Sequence, residues 1–146
     1  MTMSAVRDGD SLSEPQWRDP RDRIRVRAEH RDSALVAYAE GELDYLVSEP
    51  FRDYVLSLAF PPWQIILDLE RVSFCDSSGL GAMVGIWKAV RTRRGRLVVS
   101  RPSGLCRRIL RRTGLDEHFT VSATLNHALT QFAKPPGQNG MSVRSR

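Results

Sequence analysis

The chain has 146 residues, 41% of them hydrophobic, a formal net charge of +5 and only two cysteines. That length supports one core and is short for two, and no apolar run approaches the roughly 20 residues that a membrane helix needs. Cys75 and Cys106 have neither CxxC spacing nor a nearby histidine, and His30, His118 and His127 are scattered, so buried reduced thiols are expected and a disulfide, a metal site or a bound cofactor is not.

Residues 1–22 are polar and charged; such a segment buries too little apolar surface to offset the entropy of ordering, and an unstructured arm is expected. The same stretch lacks the hydrophobic core of a signal peptide, which places the chain in the cytoplasm. Ile24-Arg25-Val26-Arg27 alternates as an edge strand does, and Ala34 to Ala39 continues as a more buried strand after the polar turn His30 to Ser33, giving a hairpin. Gly41 ends that strand where the backbone needs positive φ, and Asp44 is placed to hydrogen-bond amides in the following turn. A helix is expected within Leu46 to Ala59, with Ser48 as N-cap, Pro50 in the first turn and Phe51, Tyr54, Val55 and Leu58 as its apolar stripe. Pro61-Pro62 stops it.

The central stretch runs from Gln64 to Arg91. Ile65, Ile66, Leu67 and Leu69 read as a buried strand, Val72 and Phe74 as a second short apolar run, and Cys75-Asp76-Ser77-Ser78-Gly79 as an abrupt turn into a helix. Asp76 or Ser77 suits the N-cap, because a short oxygen-bearing side chain accepts an amide that the first turn leaves unpaired. Leu80, Met83, Val84 and Trp87 form one helical face, and Gly81 and Gly85 are placed for close backbone packing. Next come a strand at Arg96 to Ser100 and a short helix opened by Pro102 and Ser103, with Leu105, Ile109 and Leu110 toward the sheet and Gly114 as C-terminal cap. A last strand with Leu115, Phe119 and Val121 precedes a helix beginning at Ser122 or Thr124, and the tail from Lys134 onward is not expected to fold. The order implies α/β: a mixed, mostly parallel sheet of about five strands with about four helices packed on it, over residues 23–133.

Three passages, VSFCDSSGLGAMVGIWKAV from Val72 to Val90, Gly41-Glu42-Leu43-Asp44, and LRRTGL from Leu110 to Leu115, resemble in content and order the signature of the anti-sigma factor antagonists of the STAS domain family. The resemblance covers about Ile24 to Phe132 and implies the α/β STAS fold. It implies that Ser77, with Ser78 as the alternative, is a phosphoacceptor and that the chain is not an enzyme. Asp44, Asp76, Ser77, Ser78, Gly79 and Leu80 would form the partner-binding face, with Leu80 open to a core reading as well. The partner it implies is an anti-sigma factor that is also a serine kinase with a histidine-kinase-like ATPase fold; a PP2C-type phosphatase and a homodimer are further associations it allows. The unphosphorylated chain would bind that factor and release a sigma factor, and phosphate on Ser77 would end the binding. The alternative within the family is a STAS adaptor or scaffold subunit of a signalling or membrane transport complex, never phosphorylated.

A catalytic serine is poorly supported, since the turn is not G-x-S-x-G and no histidine is assignable as base. Gly79-Leu80-Gly81 lacks the ending of a phosphate-binding loop. Between Ser77 and Leu115 there is no acidic residue, whereas Lys88, Arg91, Arg93, Arg94, Arg96, Arg101, Arg107, Arg108, Arg111 and Arg112 are basic. This departs from the family pattern, and it reads either as a solvated face or as a surface for an acidic partner, nucleic acid or an anionic membrane. No motif gives specificity for a nucleic acid sequence.

Overall fold

The computed structural model describes residues 15–133. Its sheet has the order β1 (Gln16–Arg18), β2 (Ile24–Arg31), β3 (Ala34–Leu43), β4 (Gln64–Cys75), β5 (Arg96–Ser100), β6 (Thr120–Ser122). The first three strands pair antiparallel, and β3 to β6 pair parallel. The parallel strands are joined by α1 (Ser48–Leu58), by α2 (Ser77–Arg91), and by α3 (Gly104–Thr113) with a 3-10 turn at Leu115–Glu117; α4 (Leu125–Ala133) closes the domain.

Alternation along the strands divides the core. Leu35, Ala37, Ile65, Leu67, Leu69, Leu97 and Val99 face α1, α2 and α3 and pack with Phe51, Val55, Met83, Ile86 and Leu110. The intervening Ala34, Val36, Ile66 and Val98 face α4 through Ala128 and Phe132. Strands buried on both faces read as continuous apolar runs, which is why Ile65-Ile66-Leu67 is apolar without alternation. The first polar position on the α4 side, Asp68, is buried and accepts from Arg101 Nε at 2.7 Å and from Ser100 Oγ at 3.3 Å.

Several expectations change. Residues 15–22 belong to the domain: β1 pairs with β2, Trp17 stacks on Tyr54 at 5.7 Å, and the buried Asp19 carboxylate accepts the Arg21 amide at 2.9 Å to close the turn. A single tryptophan anchored on α1 and one capping carboxylate order a segment that composition alone reads as solvent-loving. Residues 1–14 and 134–146, expected to be an arm and a tail, lie outside the described residues. Ser48 is not an N-cap: it is the first residue of α1, and its hydroxyl donates backward to the Asp44 carbonyl, while Val47 precedes it without a side-chain cap. The two apolar runs of the central stretch are one strand of 12 residues. Gly81 meets open space and Gly85 faces the Arg52 side chain, so neither brings backbones together. Leu115 starts the 3-10 turn and not the last strand, and the Thr124 hydroxyl accepts the His127 amide at 3.0 Å at the start of α4.

Gly41 lies inside β3 and not at its end. Its φ is +125°, and the register of β3 on β4 shifts there and again two residues earlier, so the strand carries irregularities and still continues to Leu43. The Arg23 carbonyl crosses directly over it to take the Glu42 amide at 2.8 Å, and a Cβ on Gly41 would stand 2.2 Å from that oxygen. The Arg23 side chain reaches forward as well, donating from Nε to Asp44 at 2.8 Å and from Nη2 to Glu42 at 2.9 Å. Asp44 is buried and its other oxygen accepts the Leu46 amide at 2.9 Å. Burial alone would raise its carboxyl, but the Arg23 and backbone hydrogen bonds outweigh burial and hold it below the ordinary carboxylate value.

Two outcomes follow. Gly41→Ala combines a strained φ with a backbone clash and should lower stability by about 2 kcal/mol or more in urea unfolding. Since the folded-state pKa of Asp44 is depressed, its contribution is present above the unfolded carboxylate value and is lost as pH falls through the folded one. Stability should therefore decline on acidification below about pH 4, and Asp44→Asn should flatten that part of the pH profile.

Candidate functional site at the ends of β3 and β4

The site is built by two neighbouring strand ends. Leu43 pairs with Cys75, and the Asp76 amide reaches the Leu43 carbonyl at 3.4 Å, so the chain leaves β3 toward α1 and β4 toward α2 at one rim of the sheet. Asp76 is extended, with φ −110° and ψ −170°, and is the N-cap of α2. Its Oδ1 accepts the amides of Ser78 at 2.9 Å and Gly79 at 3.1 Å, and its carbonyl accepts that of Leu80 at 3.1 Å. Two of the first-turn amides, which a helix N-terminus would otherwise offer to an anion, are thus already taken by a carboxylate.

Ser77 occupies the first helical position, is exposed, and its hydroxyl makes no hydrogen bond among the described residues. Ser78 is half-buried, and its hydroxyl is not tied to backbone. Asp76 is half-buried by its own capping bonds. Asp44, Gly79 and Leu80 are buried: Asp44 is held by Arg23, Gly79 lies so close to the Leu43 carbonyl and Cys75 Sγ that a Cβ would come within 2.5 and 2.7 Å of them, and Leu80 belongs to the core. These three shape the face from beneath and have little surface to offer it.

Sequence reasoning missed the apolar rim. Tyr45 is 72% exposed, Leu46 37% and Phe74 44%, and they are the large hydrophobic side chains left exposed among the described residues. The sequence reads Phe74 with Val72 as a short apolar run, and in the fold Val72 is buried while Phe74 pairs across from Glu42 past the second register shift, near the end of the strand and exposed. Tyr45 and Leu46 follow Asp44 in the turn before α1. The available signal was an aromatic and a leucine placed between the Gly41 turn and a helix start, where core positions are not required. Scattered exposed apolar residues are ordinary; three on the two chain segments that end at the rim carrying an exposed hydroxyl are of the kind that marks interaction sites.

The three histidines are engaged elsewhere. His30 stacks on Phe60 at 4.5 Å, His118 lies against Trp87 at 5.5 Å, and His127 Nδ1 is 2.8 Å from Ser122 Oγ. Cys75 and Cys106 are both buried and free, and their mutual hydrogen bond together with burial pushes the Cys75 thiol above the ordinary thiol value. Among the described residues no group of three or more His, Cys, Asp or Glu side chains is placed to hold a metal, and no helix is long and apolar enough to cross a membrane.

The model of the STAS domain matches residues 25–128. The chain is 41% identical over 100 residues to an anti-sigma-B factor antagonist of Listeria monocytogenes, covering 67% of this chain and 88% of that one. It superposes on an anti-sigma factor antagonist from Mycobacterium paratuberculosis with a TM-score of 0.69 at 27% identity, over 81% of this chain and all of the other (100%). It also superposes on the anti-sigma factor antagonist SpoIIAA in its unphosphorylated form, with a TM-score of 0.64 at 28% identity over 74% of this chain and 96% of that one. SpoIIAA of Bacillus in its phosphorylated form gives a TM-score of 0.59 at 28% identity, over 73% and 98%. With a sheet of this order, a capped serine turn of this geometry and a match over most of its length, the chain belongs to the STAS domain family.

Proposed function

We propose that this chain is an anti-sigma factor antagonist: the rim formed by Tyr45, Leu46, Phe74 and Ser77 docks against an anti-sigma factor, which frees a sigma factor, and phosphate on Ser77 ends the docking. The observation that carries this reading is an exposed, unbonded Ser77 hydroxyl at the mouth of α2, on the rim where the strand ends also carry the exposed large apolar side chains of the described residues. It is supported by the names of the relatives and by the existence of one of them, SpoIIAA, in a phosphorylated and an unphosphorylated form.

In this reading the partner is a serine kinase with a histidine-kinase-like ATPase fold, and a PP2C-type phosphatase resets the switch. Ser77 Oγ attacks the γ-phosphorus of ATP, its proton passes to a base of the kinase, and ADP leaves with the broken bridging bond. The product carries about −1.5 to −2 additional charge at neutral pH. Because Asp76 already accepts the Ser78 and Gly79 amides, those two donors are closed to that charge, and the carboxylate presents a like charge beside it. The phosphate therefore projects into solvent, and burying it under a docked protein costs its hydration. The fold is left as it was, since nothing in the core depends on the Ser77 side chain. This chain's own part is recognition; the chemistry belongs to the partner.

Incubation with ATP and a histidine-kinase-fold anti-sigma factor from the same genome, followed by mass spectrometry, should place one phosphate on Ser77; label on Ser78 alone would shift the acceptor, and label only elsewhere would sink the site. Ser77→Asp should weaken binding at least tenfold, about 1.4 kcal/mol, at unchanged Tm, and Ser77→Ala should bind without ATP-dependent release. Asp76→Ala removes a capping side chain and should cost about 1 kcal/mol of stability in urea unfolding, an effect absent in both Ser77 variants.

A further inference from the structure

Some arginines of this domain are matched by carboxylates, and of the others four lie on one helix. Arg18, Arg23, Arg25, Arg31, Arg52 and Arg101 each lie within 4.0 Å of a carboxylate. By contrast Arg107, Arg108, Arg111 and Arg112 of α3 are all exposed and have no ion-pair partner among the described residues. They repeat at three- and four-residue spacing, so they share one side of the helix and repel one another. Arg111 and Arg112 lie in the last turn, where positive charge suits the helix dipole, but Arg107 lies in a first turn that contains no acidic residue. A solvated face has no need of such an arrangement; an anionic partner would relieve it.

The surroundings narrow the partner. The apolar side of α3 is already committed inward, with Cys106 and Leu110 buried, and the exposed large hydrophobic side chains among the described residues are Tyr45, Leu46 and Phe74 at the strand-end rim. A protein interface is organised around desolvated apolar or aromatic anchors, and insertion into a bilayer needs apolar side chains; among the described residues this face exposes no large apolar side chain, those that line it being largely covered. A partner that binds through charge alone remains, and nucleic acid is one whose sequence-independent affinity comes from its phosphates. Guanidinium groups suit it, because their planar fork pairs two N–H groups with two phosphate oxygens. The face extends beyond α3: the Arg91 guanidinium lies 4.9 Å over the Trp87 ring, Trp87 meets Phe119 at 6.0 Å, and Phe119 lines a shallow depression with Arg107 and Arg111. Asp116 shares that depression and Glu117 follows it, which leaves the face net positive.

We propose that the arginine face of α3, extended by Arg91, binds the phosphate backbone of nucleic acid without reading its sequence. It uses side chains other than those at Ser77 and does not depend on the anti-sigma factor reading. About four phosphate contacts would give a log affinity against log salt slope of about −3.6 on duplex DNA, so affinity should fall roughly 100-fold between about 50 and 200 mM NaCl.

The test is fluorescence anisotropy of the full chain with a labelled DNA duplex of arbitrary sequence and, in parallel, single-stranded RNA; binding to either supports the proposal and their ratio says which chain the face prefers. The combined variant Arg107→Gln, Arg108→Gln, Arg111→Gln, Arg112→Gln should lose at least tenfold in affinity at low salt and flatten the slope toward zero. A matched variant that removes the same charge from paired arginines, Arg18→Gln, Arg25→Gln, Arg31→Gln and Arg52→Gln, should change affinity less than about twofold. If the first variant fails to fold by circular dichroism, Arg111→Gln with Arg112→Gln alone should reduce the slope by about half. The proposal is overturned by no binding at low salt, by a salt-independent affinity, or by equal losses in the two four-site variants. Binding to poly-L-glutamate or phosphatidylglycerol vesicles as tight as to nucleic acid at equal charge concentration would overturn it too.

Discussion

The pairing of β3 with β4 all the way to Leu43 and Cys75 is the constraint on which the rest depends. Two parallel strands that end level with each other deliver two turns to one rim, and everything of interest at that rim is in those turns. Keeping β3 in the sheet that far requires the Gly41 conformation, because the Arg23 carbonyl occupies the space a side chain would need. The same residue's guanidinium then binds Asp44 and Glu42 and holds the turn after the strand. Backbone geometry and the two ion pairs of one arginine thus act on the same few residues at the rim.

Asp76 explains why a serine in this turn stays available. An N-cap normally uses a serine or aspartate side chain to satisfy first-turn amides. Here the aspartate takes both within reach and the following serine takes none, so the hydroxyl stands at the helix mouth without a structural duty. The same arrangement removes the amides that would otherwise stabilise a phosphate at this position. Charge added to Ser77 is then felt by whatever lies across the rim and not by the helix behind it.

Charge is partitioned over the surface in a way that parallels this division of labour. On the α4 side, where the sheet runs beyond the cover of that helix, Asp68, Glu70 and Arg101 neutralise one another and Ser100 completes the set. Arg23, just before β2, and Arg25 and Arg31 within it are matched by Glu42, Glu40 and Glu29 in similar fashion. On the α3 side the arginines are unmatched, the apolar side chains face inward, and the two surfaces thus offer opposite chemistries: a small apolar rim with a hydroxyl at the strand ends, and a charged helix face without apolar anchors.

Much of this was legible without coordinates because its causes are local. The doubly buried character of Ile65 to Leu69, the glycine at 41, the capping aspartate before α2 and the glycine cap at 114 each follow from one residue's own geometry and its immediate neighbours. What sequence could not supply depended on contacts distant in the chain. β1 exists because Trp17 finds Tyr54 on α1; the Ser48 hydroxyl turns back onto the Asp44 carbonyl in place of capping α1; Phe74 is exposed because the sheet outruns its helices; Asp44 is buried because Arg23 crosses from the preceding hairpin. The sequence by itself determined the order of strands and helices and the place of the Ser77 turn, since periodicity and capping are properties of short segments. Only the tertiary structure decided which residues around that turn face solvent and which arginines find carboxylates, because exposure and pairing are set by what the rest of the chain lays against them.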